Sequence, residues 1–214
     1  MNEQVVRSYP ELKLDVDTVL RGQGADPALI RQRKPRLVDL AEQALLEGMQ
    51  LLEPIATYRI FPVDDMGSEQ FSFAGQVWLT SPFVVQHLVG AQQIAVLVCT
   101  LGVGLDKRIE AAAQDNPVFA YMLDGLGTQA AKTLHLLACA DLEADARNVD
   151  LYTSIPLLPG MNAWAVEVGQ PKIFDILDAK KIGVTLNESA QMIPRKSLSM
   201  IMGISQSSFI TESL

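Results

Sequence analysis

In the segment "SLSMIM", Ser197 and Ser199 alternate with Leu198, Met200 and Met202. Only an extended chain sends successive side chains to opposite faces, so this spacing predicts a strand and requires a sheet for it to join. Pro194 has no N–H for a ladder, and the reading therefore ends a first extended segment there, with Arg195 and Lys196 in a turn. The run from Ile182 to Gly203 is expected to form two paired strands of the domain's sheet.

The preceding chain mixes both periods. "LKLDVDTVLR" alternates well enough for a first strand, whereas Asp26-Pro27 has the form of a helix N-cap and first position. In "PRLVDLAEQALLEGMQLL", Leu37, Leu40, Ala41, Ala44, Leu45, Met49 and Leu52 share one helical face. "ATYRIFPV", "QFSFAG" and "QVWLTS" are strand-like and parted by turn formers such as Asp64-Asp65-Met66-Gly67, which favours an antiparallel meander. Ser81-Pro82 opens a short helix, and "QQIAVLVCTLGVGLDKRIEAAAQ" reads as buried strand, glycine turn and helix.

Asn116-Pro117 caps a longer helix reaching as far as Arg147, with Leu123, Leu126, Ala130, Leu134 and Leu137 at helical spacing. "NVDLYTSIPLLPG" suits a strand that leads into an irregular loop, and "QPKIFDILDAKKIG" a helix with Gly183 as its C′ residue. Strands and helices mix without strict βαβ alternation. The fold class is α+β, in one continuous domain over residues 1–214.

The net charge of −8 and the lack of a long basic patch leave no footprint for nucleic acid. The short cluster "RQRKPR", Arg31 to Arg36, reads as a solvated helix junction. No apolar run approaches the roughly 18 residues of a membrane span, and the start "MNEQVVRSYPELKL" has no secretory pattern, so no membrane association and a cytoplasmic location are expected. The cysteines, Cys99 and Cys139, lie in apolar contexts that suit buried thiols rather than a disulfide framework.

Few residues suggest chemistry of their own. "TLGVGLD" places Gly102 and Gly104 between strand and helix as a dinucleotide turn would, but Lys107 fills the third glycine position; the alternative is a simple turn needing positive φ. His135 and Cys139, at i and i+4, share a helical face where two metal ligands could stand, yet leucines surround them, and the other histidine is His87. Neither a catalytic triad nor a P-loop can be assembled. The stiff "SIPLLPGMNAW" segment is either a rigid binding loop or a surface crossover.

Three segments in order carry a family resemblance: "LPGMNAW", "GQPKIFDILDAKKIG" and "VTLNESAQMIPRKSLSMIMG". With "TLG" at Thr100 to Gly102 and "LDGLG" at Leu123 to Gly127, they resemble the activation (reactivation) domain of cobalamin-dependent methionine synthase in a stand-alone form. The resemblance implies a curved antiparallel sheet with packed helices. It further implies S-adenosylmethionine held near cobalamin that a partner carries, the partner being a corrinoid protein or cobalamin-dependent methyltransferase.

The ligand residues it implies are Asp150, Leu158, Pro159, Gly160, Glu188 and Ser189, with Asp124 and Trp164 for partner docking. Where the family's Arg-x-x-Pro-Gly-Tyr motif has arginine and tyrosine, this chain has Pro156 and Met161. A proline offers a ligand carboxylate neither charge nor donor. Weak S-adenosylmethionine binding is therefore expected, and a non-catalytic binding module on the same scaffold is the alternative. The cleft between the Pro-Gly loop and the "NES" turn is the expected place of function, with Glu188 either a ligand acceptor or a brace for neighbouring backbone.

Overall fold

The computed structural model describes residues 3–67, 70–79, 82–161 and 164–209. Its strands are β1 (Val5–Ser8), β2 (Ile55–Met66), β3 (Gln70–Phe73), β4 (Gln76–Leu79), β5 (Gln93–Thr100), β6 (Tyr152–Thr153), β7 (Thr185–Leu186), β8 (Met192–Ile193) and β9 (Ser197–Ser205). The helices are α1 (Val16–Arg21), α2 (Pro27–Arg33), α3 (Pro35–Met49), α4 (Pro82–Leu88), α5 (Gly104–Asp115), α6 (Pro117–Arg147) and α7 (Val166–Ile176). The main sheet is a curled antiparallel one in the order β4-β3-β2-β5-β9-β6, with β1 also paired to β2. The expected meander is β2-β3-β4, and α+β is the class.

The apolar run of β5 is explained by burial on both faces. Leu97 and Cys99 pack with Met200 and Met202 of β9 against Ala130, Leu134 and Ala138 of α6. Val96, Val98 and Ile201 point the other way, into a core with Val84, Leu88, Trp164 and Ile173. Each fully buried Leu, Ile or Val contributes about 1.5–3 kcal/mol, which makes this double-faced pair the mechanical centre of the fold. A third cluster joins α1, α3, α5 and α6 through residues such as Leu20, Ala41, Ile109 and Leu123.

Helix starts follow local chemistry. Asp26 caps α2 with Pro27 at the first position, and the Asn116 side chain accepts the Phe119 N–H at the start of α6, which runs to Arg147. The basic cluster lies exposed at the α2–α3 junction. Among the described residues no helix is long and apolar enough to cross a membrane.

Three local expectations are corrected. The alternating "LKLDVDTVLR" is not a strand: Asp15 accepts the Thr18 N–H at 2.7 Å and caps α1, while the first strand is Val5–Ser8. A local side-chain cap outweighed a weak alternation. The group Asp64 to Gly67 is not all turn, because β2 continues to Met66 through a register irregularity between Val63 and Asp65. Helix α7 begins at Val166, ahead of Gln170, and ends at Ile176; Gly183, at φ 73, closes a separate 3-10 turn over Ala179–Ile182. Ser81, part of the expected helix opening before α4, lies outside the described residues.

The largest correction concerns Ile182 to Gly203. Its second half is the expected strand, but β9 pairs with β5 along its length and with β6 at Ile204 and Ser205, not with the segment before it. The first half instead makes a separate ribbon, β7 with β8. At the turn, the Arg195 N–H donates to the Asp106 carboxylate at 2.6 Å, so that donor is taken by a helix side chain rather than by a strand.

Candidate functional site

The loop after α6 is pinned along β9. Asp150 turns the chain with φ 59 and is exposed, its N–H bonded to the Arg147 carbonyl at 3.1 Å. Gly203 N–H donates to the Ser154 hydroxyl at 2.9 Å, and Leu157 and Ile201 exchange backbone hydrogen bonds of 2.9 Å in both directions. Further on, Gly160, at φ 100, donates its N–H to the Trp164 carbonyl at 2.6 Å. The Trp164 ring packs against Gly169, where an added Cβ would meet it at 2.7 Å and Pro159 at 3.0 Å.

Leu158 and Pro159 are half-buried beneath this closure and Gly160 is exposed. Such a loop holds its backbone groups in place before any ligand arrives. Asn162 and Ala163 lie outside the described residues.

Trp164 is 1% exposed. Its side chain is a core anchor and offers no surface to a partner, which corrects the docking role expected of it; loop aromatics at such density are as readily inward as outward. Asp124 is half-buried, and its carboxylate already holds Lys196 at 2.8 Å.

The opening of the loop, Tyr152 to Pro156, lines a cavity of about 530 Å³ shared with Glu143 and Arg147 of α6 and with His87. Glu143 and Arg147 form an i,i+4 ion pair, and His87 Nδ1 lies 2.8 Å from the Phe83 carbonyl. The wall also includes Cys139, whose thiol is pushed up to about 12 by burial and donates to Met200 Sδ at 3.4 Å. A protonated, buried thiol is a poor nucleophile. Among the described residues the cavity thus carries one cation, one anion and an imidazole, a set for binding rather than for covalent chemistry.

The ribbon turn lines a different cavity, of about 640 Å³, through Asn187 and Gln191 together with Val166 and Gln170 of α7. Asn187 Oδ1 accepts the N–H groups of Ser189 and Gln191 at 3.0 and 2.9 Å, so Asn187, not Glu188, braces the turn. Glu188 and Ser189 are exposed beside it. The described cavities therefore divide the expected cleft: the loop borders one and the ribbon turn the other.

The glycine turn does not favour a pyrophosphate. Gly102 has the positive φ of 78, but the Glu53 carboxylate would lie 2.9 Å from a Cβ there, and the Leu51 carbonyl 2.8 Å from one at Gly104. These acceptors oppose a phosphate. His135 is held below its usual range by burial, and its Nε2 has no hydrogen-bond partner among the described residues. Among the described residues no group of three or more His, Cys, Asp or Glu could hold a metal. Sequence reasoning missed Glu143 and Arg147, for which the i,i+4 spacing was the available signal, and Asp106, for which there was none; Gln170 entered only as a residue of the motif that carries the resemblance.

No family model matches this chain, and no curated protein does. In three dimensions it is similar to a solved structure described as the MetH reactivation domain bound to AdoHcy, with a TM-score of 0.65 over 97% of this chain and 80% of that one. Sequence identity across the match is 16%. The chain shares the fold of the MetH reactivation domain.

Proposed function

We propose that this chain, as one continuous domain, is an accessory protein of the reactivation type, docking on a corrinoid protein or cobalamin-dependent methyltransferase in the cytoplasm and presenting S-adenosylmethionine to the partner's cobalamin. The observation that carries this reading is the fold likeness over 97% of the chain to a domain whose structure holds AdoHcy. The motif residues from Pro159 to Ser199 support it. In this reading S-adenosylmethionine supplies a methyl group that, with one electron from an external reductant, returns an oxidised corrinoid to its methylated form. The chain's own task is to bind and orient.

The cavity beside Pro156 fits such a ligand in size, since small-molecule sites span about 300–1,000 Å³. It fits in charge as well: Arg147 can take a carboxylate and Glu143 an ammonium, at the cost of their mutual pair. Pro156 contributes no charge, so binding by the isolated chain is weak. Asp150, Leu158, Pro159 and Gly160, on the segment that flanks this cavity, remain proposed ligand-side residues; Glu188 and Ser189, on the ribbon turn beside the other cavity, are proposed to reach the ligand only in the complex with the partner, and Asp124 is a docking residue. Because Glu188 makes no hydrogen bond or ion pair among the described residues, it is free to meet a partner.

Pro156 equally favours the second reading, a binding module that recognises a corrinoid partner without S-adenosylmethionine. Calorimetric titration separates the two. The first expects weak AdoHcy binding that tightens when the organism's corrinoid protein is present; the second expects docking that AdoHcy leaves unchanged. Absence of docking to any corrinoid protein sinks both.

A further inference from the structure

The cavity of about 640 Å³ between α5, α7 and the β7–β8 ribbon lies apart from the loop cavity and holds two buried acceptors without donors. Asp106 and Gln170 line it, each 7% exposed, and neither Asp106 Oδ1 nor Gln170 Oε1 has a hydrogen-bond partner among the described residues. Buried acceptors are nearly always satisfied, so two in one cavity wall call for N–H donors from outside the chain.

Among the described residues Arg195 and Lys107 are the cations of this wall, and neither hydrogen-bonds Asp106 Oδ1 or Gln170 Oε1. Arg195 Nε is 3.8 Å from Asp106 Oδ1 and its Nη2 3.6 Å from Glu110, both beyond hydrogen-bond length, and its side chain is 54% exposed. A guanidinium held by two long ion pairs and by no hydrogen bond to either carboxylate can exchange them for a ligand's carboxylate. Displaced, it becomes a free fork for an anion at the same mouth. Val103, Val166, Met192 and Ile193 supply apolar wall.

The geometry points to a second binding site, one for a free α-amino acid with an apolar side chain. The ligand's ammonium meets Asp106 Oδ1 and Gln170 Oε1, its carboxylate takes Arg195 in exchange for Asp106 and Glu110, and its side chain lies along the apolar wall. A simple cation would leave Arg195 opposed to it, and a simple anion would leave both acceptors unpaired. Only a ligand carrying both charges answers all three groups.

The test is calorimetric titration of the whole chain with L-leucine and L-methionine, and with isoamylamine and isocaproate, which lack the carboxylate and the ammonium respectively. At least one amino acid binds, and each truncated probe binds about tenfold or more weakly than L-leucine or L-methionine, whichever is tighter. Arg195→Gln lowers amino-acid affinity to that of isoamylamine, and isoamylamine itself binds no more weakly to the variant. Asp106→Asn and Gln170→Leu each abolish amino-acid binding; because Asp106 also anchors the Arg195 N–H, Gln170→Leu decides the matter if Asp106→Asn fails to fold. No heat with either amino acid at about 10 mM, or binding that survives Gln170→Leu and Arg195→Gln in folded protein, overturns the proposal.

Discussion

Lys196 donates to the Asp124 carboxylate at 2.8 Å, joining the turn before β9 to the middle of α6. The same ammonium lies 3.1 Å from the Thr128 hydroxyl, and its stem crosses Gly127, where an added Cβ would meet Lys196 Cε at 2.9 Å. The "LDGLG" segment and the lysine before β9 are therefore parts of one contact.

Removing Asp124 leaves Lys196, whose side chain is only 14% exposed, short of its counter-charge. Asp124→Asn should cost about 1–2 kcal/mol, between the values for exposed and buried pairs. Denaturant unfolding of Asp124→Asn, Lys196→Met and the double variant checks this. Additive losses would show that the pair is not coupled.

Gly22 touches the backbone of Gly125 so closely that an added Cβ would lie 2.2 Å from its carbonyl oxygen, and a carbonyl inside a helix cannot retreat. Gly22→Ala should lower stability by about 2–4 kcal/mol by forcing α1 off α6. Gly24, with open space around it but φ +71, should cost only about 1–2 kcal/mol when changed to Ala. Thermal melts of the two variants in that order test the helix contact.

Burial pushes the Cys99 thiol up to about 12, the nearby Cys139 adding to the effect, and Cys139 likewise. Because the folded thiols ionise later than unfolded ones, the stability this gives is complete below about pH 8.5 and is lost as pH rises towards 12. Native protein at pH 8 should react with a thiol reagent only at its rate of opening. Stoichiometric labelling within seconds would contradict this burial.

What the sequence made legible was whatever depends on local periodicity and caps. The apolar run in β5, the Asn116-Pro117 start of α6 and the alternation of β9 each appear in the fold as read. The partner of β9 was not legible, because pairing is decided by which strands the fold brings alongside in three dimensions, and β5, about a hundred residues earlier, lies along almost the whole of it. Trp164 shows the same limit at the site: the loop was identifiable from Pro159 and Gly160, but whether its tryptophan faced in or out depended on Gly169 leaving room for the ring. Asp106 gave no signal, since its contact is with a backbone N–H 89 residues away.

Among the described residues Arg147 is the one cation lining the loop cavity, with Pro156 where a second could stand, so supplying one should help an amino-acid-bearing ligand. Pro156→Arg should raise AdoHcy affinity about ten- to a hundredfold, the worth of one charge-assisted interaction of about 1.5–3 kcal/mol. Calorimetry of the native chain and the variant decides it; equal affinities would place the ligand's carboxylate elsewhere.

The central claim is tested most directly by following the corrinoid spectrum. The organism's corrinoid protein, brought to its Co(II) state, is mixed with S-adenosylmethionine and a low-potential reductant, with and without this chain. The account predicts that the chain accelerates recovery of the methylated corrinoid, and that Glu188→Gln weakens the effect while leaving the melting temperature unchanged. Recovery at the same rate with and without the chain, in protein shown to be folded, would contradict it.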